Sequence, residues 1–255
     1  MNTKRFQDNV VLVTGGNSGI GCATSMAFAA EGAKVVIAAR RENLGAEVVK
    51  TIKDKGGEAV FIKTDVTLPD NIENLFKAIT AQYGRLDCAY NNAGMGIPAR
   101  RLANTTMDEW NAIMNTNLRS VWLCMKYEIP IMVKQGGGTI VNCSSVAGLR
   151  SEDGMSLYAA SKHAVLGLTR AAALETAHRN IRINAVCPGF IQTPMVEETC
   201  KQRPAMRDAI LSTVPLGRFG KPEEIAGAVL WLCSGASSFM TGKEMVIGGG
   251  QAIRS

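Results

Sequence analysis

The chain has 255 residues, 46% of them hydrophobic and 20% charged, and its 28 Lys and Arg outnumber 22 Asp and Glu to leave a net charge of +6. That composition is close to the globular average, so it excludes disordered, collagen-like and coiled-coil chains, and the length fits one domain over residues 1–255. The excess positive charge is compatible with an anionic ligand but is spread too thinly to mark a nucleic-acid surface.

In chain order, hydrophobic patterning predicts a strand at Asn9–Val13, a helix at Ser18–Glu31, a strand at Ala33–Ala38, a helix at Asn43–Lys55 and a strand at Glu58–Lys63. A helix at Asp70–Tyr83, a strand at Leu86–Asn91, a long helix at Thr106–Lys134, a strand at Gly138–Cys143 and a helix at Ser156–Ala177 follow. The last elements are a strand at Arg182–Val186, an irregular stretch from Phe190 to Gly220, a helix at Pro222–Leu232 and a strand at Glu244–Ile247. Pro69 and Pro222 sit where helices should open, and Gly32, Gly56 and Gly84 where they should end. Strands without polar alternation, separated by helices, imply an α/β fold: a Rossmann-type doubly wound parallel sheet of about seven strands with helices on both faces. The stretch at about 190–220 reads as a substrate loop, because it is longer than an ordinary connection.

Met1–Asp8 carries charge ahead of any apolar run, and no window approaches the roughly 18 apolar residues of a membrane helix. The expectation is a soluble cytoplasmic protein with neither a membrane nor a nucleic acid as partner. Seven cysteines are scattered without a CxxC pair, which points to reduced core residues and away from disulfides or zinc. His163 falls roughly 100° round its helix from Lys162, and His178 suits a helix C-terminus; neither has companions for a metal site, and no metal is expected.

Thr14-Gly15-Gly16-Asn17-Ser18-Gly19-Ile20-Gly21 joins the first strand directly to the first helix. Gly15 allows the tight turn, Gly19 lets backbone N–H groups approach a pyrophosphate, and Gly21 lets the helix sit close to the sheet. The positive end of the helix then faces the phosphates. The missing Gly-Lys-Ser/Thr excludes a P-loop. At the end of the second strand, Ala39 stands where an NAD-preferring fold carries an acid, and Arg40 and Arg41 follow. An acid would repel a 2′-phosphate, whereas a guanidinium grips one through paired hydrogen bonds, so NADP(H) is favoured over NAD(H). Tyr158 and Lys162 lie four apart on one helix face. A nearby ammonium favours the ionised phenol, which suits Tyr158 to proton exchange with a carbonyl or alcohol oxygen, and Ser145 at a strand end can hydrogen-bond the same oxygen. Ser144 is the competing serine.

The glycine turn, Asn91-Asn92-Ala93-Gly94, and Tyr158-x-x-x-Lys162 thirteen residues after Ser145 together resemble the short-chain dehydrogenase/reductase family, over nearly the whole chain. The resemblance implies a catalytic set of Asn117, Ser145, Tyr158 and Lys162. In it Asn117 holds a water that relays protons and Lys162 also binds the nicotinamide ribose. It further implies that Gly15, Asn17, Ser18, Gly19, Ile20, Arg40, Arg41, Asp65, Val66, Asn92, Ala93, Gly94, Pro188, Gly189, Ile191 and Thr193 surround the cofactor. Met95, Met155 and Met195 are candidates for an apolar substrate wall beside Ser145 and Tyr158. Gly248 replaces the aspartate that many relatives carry before two glycines, which bears on assembly. The reading is an NADP(H)-dependent oxidoreductase that interconverts a ketone and a secondary alcohol. The alternatives are an NAD(H)-dependent relative acting on a sugar, steroid or polyol, a nucleotide-sensing regulator without turnover, and a methyltransferase. Broad apolar faces on the helices at Thr106–Lys134 and Ser156–Ala177, including Trp122, Leu123, Val165, Leu166 and Leu168, point to a homotetramer. Trp110, Trp122 and Trp231 read as core or subunit contacts.

Overall fold

A computed structural model describes residues 4–253 apart from 97, 152 and 203, with the side chains at 195, 199, 202 and 204 also left aside. Seven strands form one parallel sheet: β1 (Val10–Thr14), β2 (Lys34–Ala39), β3 (Glu58–Lys63), β4 (Cys88–Asn91), β5 (Gly138–Cys143), β6 (Ile181–Pro188) and β7 (Glu244–Ile247), in the spatial order β3-β2-β1-β4-β5-β6-β7. The chain winds outward from β1 to β3, crosses back, and winds outward again from β4 to β7. The reversal lies between β1 and β4, and the crevice beyond their C-terminal ends is where an open α/β sheet binds ligands.

Alternate side chains of each strand enter different cores. Val11, Val13, Val35, Ile37 and Val141 face α1 (Gly19–Ala30), α2 (Glu42–Asp54) and α9 (Pro222–Cys233), whereas Val10, Leu12, Val36 and Ile140 face α3 (Pro69–Tyr83), α5 (Ser120–Gln135) and α6 (Ser156–Thr176). Burial on both faces explains the unbroken apolar runs. Three helices or their continuations end on Gly32, Gly56 and Gly84 at φ of 90°, 77° and 68°, a left-handed conformation that glycine adopts without a Cβ clash. Arg182 closes the far end of α9: its guanidinium donates to the carbonyls of Ser234 and Ser237 at 3.0 Å, placing a cation at a helix C-terminus. Among the described residues no helix is long and apolar enough to cross a membrane.

Three expectations change. The long helix does not run through: α4 (Met107–Met114) opens on a capping box from Thr106 and Glu109, then gives way to a five-residue π segment, Asn115–Arg119, before α5 begins. The stretch 190–220 is not irregular. It contains α7 (Pro194–Gln202) and α8 (Pro204–Ser212), each with a proline at its first position, and its base is closed by a parallel bridge between Ile191 and Gly220. Trp110, Trp122 and Trp231 are 44%, 46% and 37% exposed, so they are not core residues of this chain. Leu123, Val165 and Leu166, by contrast, are buried within it.

One buried group carries no signature in the sequence. Glu128 of α5 is wholly buried, with Oε2 accepting from Asn91 Nδ2 at 3.1 Å; that amide also donates to Asn142 Oδ1 at 3.0 Å, and Asn142 Nδ2 reaches Thr169 Oγ1 at 2.9 Å. Glu128 Oε1 and Asn91 Oδ1 are both buried acceptors without a donor. Burial pushes the Glu128 carboxyl up to about 8, against the opposing pull of the Asn91 amide. In the unfolded chain this carboxyl ionises near 4.3. Its contribution to stability is therefore full below that value and is lost as pH rises to about 8. Denaturant titrations from pH 5 to 9 should show wild type losing this increment while Glu128→Gln does not. Parallel losses in both proteins would mean that Glu128 is not held neutral.

Candidate active site

The first wall of the crevice is the turn after β1. Gly15 and Gly19 adopt φ of 64° and 50°, and a Cβ on Gly21 would collide with the Gly15 carbonyl, so all three positions require glycine. α1 has no side-chain cap on its N-terminus and no acid in its first turn, which leaves its leading N–H groups open to an anion. The turn is tied to the end of β2: Asn17 Nδ2 donates to the Arg41 carbonyl and Arg41 Nη2 to Ser18 Oγ, both at 3.0 Å. Arg40 is exposed beside them, and Ile20 packs against the core. Thr193, at the entry to α7, lies over Gly19; its Cγ2 is 3.2 Å from the position a Cβ would take.

Thr14 opens the glycine motif, but the sequence assigned it no role of its own; it joins the two halves of the sheet at the reversal. Its Oγ1 accepts the main-chain N–H groups of Asn92 and Ala93 at 3.0 and 3.1 Å, and Asn92 Nδ2 returns a bond to the Thr14 carbonyl at 3.0 Å. The hydroxyl at the strand end directly before the glycine turn was the available signal. Beyond Ala93 the chain passes Gly94, where a Cβ would stand 3.4 Å from Asn117 Oδ1 and 3.5 Å from Lys162 Nζ. Asn117, Lys162 and the second-half loop therefore converge on one point.

Lys162, on α6, is 4% exposed; its Nζ donates to the Cys143 carbonyl at 2.8 Å and lies 5.8 Å from the centre of the Tyr158 ring. Tyr158 is half-buried one turn earlier. Ser145 caps the short turn Val146–Gly148, its Oγ accepting from Ala147 N at 3.1 Å. Ser144 is buried, and its Oγ donates to the Lys162 carbonyl at 2.9 Å, so it is committed to holding α6 on β5. The two serines are thus separated by their surroundings.

Asn117 is fully buried in the π segment, and its side chain is spent: Oδ1 accepts from Met95 N at 2.8 Å, and Nδ2 donates to Met95 O at 2.9 Å and to Ser161 Oγ at 3.3 Å. Only the low helix propensity of Asn115-Thr116-Asn117 hinted at the interruption. Asp65 and Val66 follow β3, with Asp65 Oδ1 accepting from Thr67 N and Thr67 Oγ1 at 2.9 and 2.7 Å. Pro188 ends β6, Gly189 N donates to Ile247 O at 3.0 Å, and Ile191 is buried at the base of the α7–α8 excursion. A side chain at Gly248 would press on Val146, its Cβ only 3.0 Å from Cγ1. Met95 is fixed by its backbone to Asn117 and Met155 caps α6 three residues before Tyr158; the Met195 side chain lies outside the described residues.

Residues 15–252 match a family model described as enoyl-(acyl carrier protein) reductase. The chain is 43% identical over 250 residues to a 3-oxoacyl-[acyl-carrier-protein] reductase of Thermotoga maritima, covering 98% of this chain and all of that one. A short-chain type dehydrogenase/reductase from Mycobacterium marinum superimposes with a TM-score of 0.91 at 37% identity over 98% of both chains. An actinorhodin polyketide ketoreductase solved with NADPH does so with a TM-score of 0.92 at 32% identity, over 97% of this chain and 98% of that one.

The contrasting environments of the two serines give a direct comparison. Ser144→Ala should lower unfolding stability by about 0.5–1.5 kcal/mol, by removing the hydroxyl that ties α6 to the end of β5, while keeping most turnover. Ser145→Ala should do the reverse, and equal turnover in the two variants would contradict the assignment of Ser145 to substrate.

Proposed function

The chain belongs to the short-chain dehydrogenase/reductase family, and on that premise we propose that it is a cytoplasmic NADP(H)-dependent oxidoreductase that interconverts a small-molecule ketone and its secondary alcohol, with Tyr158 as acid and base. The carbonyl–alcohol chemistry is that of the family. The observation that carries the proposal is the buried Lys162 ammonium, 2.8 Å from the Cys143 carbonyl and 5.8 Å from the Tyr158 ring, at the edge of a glycine turn built for a pyrophosphate.

Hydride transfer is the chemistry that a nicotinamide supplies when bound. Tyr158 gives its phenol proton to the carbonyl oxygen in reduction and takes one back in oxidation. Ser145 donates a hydrogen bond to the same oxygen and stabilises the charge that develops there. An ammonium has three donors. One of Lys162's is fixed on Cys143, which leaves the others for the ribose hydroxyls and for the charge left on Tyr158. The Asn117 side chain is held by Met95 and Ser161 at this edge of the site, where the family resemblance gives it the water that relays protons toward Lys162. Replacing the tyrosine hydroxyl in Tyr158→Phe should reduce kcat by about 10²- to 10⁴-fold with cofactor affinity retained. Ordinary turnover by that variant, followed through the absorbance of reduced nicotinamide on a panel of ketones, would end the mechanism.

The cofactor reading rests on Ala39, Arg40 and Arg41. Ala39 adds no negative charge, and Arg41 already lies against Ser18 of the phosphate turn. A charge-assisted bond to a 2′-phosphate, at roughly 1.5–3 kcal/mol, implies a preference for NADPH of about tenfold to hundredfold in kcat/KM. The paired change Ala39→Asp with Arg40→Ala should reverse it. A higher kcat/KM with NADH in the unmodified enzyme would assign it to NAD(H).

Seven free thiols suit a reducing compartment. Trp110 on α4, Trp122 on α5 and Leu174 on α6, the last 84% exposed, form apolar surface that further copies of the chain would cover, consistent with a homotetramer. Light scattering should then report four times the 27.2 kDa chain mass, and a particle of one chain mass at micromolar concentration would refute assembly.

A further inference from the structure

We infer that Arg119 is a positioning residue that holds the Asp65–Thr67 loop against the Asn117 segment, so that affinity for the adenosine half of the cofactor is set from the catalytic side of the crevice. The inference rests on the dinucleotide reading above. Arg119 closes the π segment two residues after Asn117, and its Nη2 donates to the main-chain carbonyl of Thr67 at 2.6 Å across 52 positions of sequence.

The loop's other hydrogen bonds are local. Asp65 N donates to Asn71 Oδ1 at 3.2 Å, Thr67 N and Oγ1 converge on Asp65 Oδ1, and Leu68 N donates to Asp65 O at 3.0 Å. These bonds shape the loop and attach it to α3. Among the described residues, the Arg119 bond is the one that fixes it to the π segment. Thr67 clasps the Asp65 carboxylate through Oδ1, which leaves the second carboxylate oxygen to accept from a donor on a bound ligand. Letting the Thr67 carbonyl go frees the residue that orients that carboxylate.

Arginine is suited to this place. Its guanidinium is a rigid planar fork, so aiming Nη2 at Thr67 fixes the whole group. Its Nε is buried without an acceptor, as expected of a group held for its reach to Thr67 rather than for full hydrogen-bond satisfaction. The sequence gives no hint of the pairing, because the two residues meet only through the fold.

The test uses the full chain as Arg119→Ala, Arg119→Gln and Arg119→Lys, with unfolding midpoints measured for each. NADPH and 5′-AMP, the latter carrying neither nicotinamide nor 2′-phosphate, are titrated by calorimetry, and kcat and KM for NADPH are measured alongside. Loss of one charge-assisted bond should weaken both ligands in Arg119→Ala and Arg119→Gln by about tenfold and raise KM equally, with kcat within about twofold, while Arg119→Lys recovers most of the affinity. If Arg119→Ala fails to fold, the Gln and Lys proteins carry the comparison. Unchanged 5′-AMP affinity, a fall in kcat at constant KM, or a Lys variant no better than Gln would each overturn the inference. Wild type that binds neither NADPH nor NADH would overturn the cofactor reading and this inference with it, whereas wild-type binding with unaffected variants overturns this inference alone.

Discussion

The contact between the Lys162 ammonium and the Cys143 carbonyl is the constraint from which the site is built. Ser145 leaves the end of β5, Tyr158 stands on α6, and nothing in the chain between them forces the two to face each other. A nearly dry ammonium on a strand-end carbonyl does, reinforced in the opposite direction by Ser144 on the Lys162 carbonyl. Together these reciprocal bonds place the first turns of α6 over the end of β5. A buried cation left unpaired is expensive, so this geometry is strongly selected over alternatives that leave it without an acceptor.

On the other half of the crevice, Thr14 has the equivalent task. The strand order requires β1 and β4 to be neighbours although 73 residues separate the end of one from the start of the other. Where they part, Asn92 donates twice to Thr14, from its main-chain N–H to the hydroxyl and from its side-chain amide to the carbonyl, so the glycine turn and the Asn92–Gly94 stretch leave the sheet at a fixed separation. Asn91, one position earlier, points to the opposite side and meets Glu128 and Asn142. Alternation along a strand thus lets adjacent asparagines serve a buried neutral acid and an open ligand crevice.

The sheet was legible because burial on both faces leaves β-branched runs with no polar interruption, and β3, β5 and β7 agree with their sequence boundaries. The glycine turn was legible because positive φ and close approach are demands that one residue type meets. What stayed hidden is what depends on a third dimension. Spacing to Tyr158 picks out Ser145, but the task of Ser144, a bond to a carbonyl 18 residues away, has no local pattern. The π segment hides inside a helical periodicity that it shifts by only one residue. The helices α7 and α8 were obscured by Pro194 and Pro204, which as loop signals are ambiguous with the first position of a helix. Glu128 has no local signature of burial, because its partner Asn91 comes from a strand 37 residues away.

The bridge between Ile191 and Gly220 bears on how such a chain could diverge. Gln192 N donates to Gly220 O at 2.8 Å and Gly220 N to Phe190 O at 2.9 Å, so the two ends of the α7–α8 excursion are pinned to one another before either helix begins. Closing a flexible segment costs only about 0.6 kcal/mol more for each doubling of its length. With both ends clamped, residues between them can be exchanged, lengthened or trimmed without moving β6 or α9. The Ser145, Tyr158 and Lys162 cluster and the α7–α8 excursion therefore occupy separately variable parts of one chain, and the excursion can change while the cluster beside it is inherited intact.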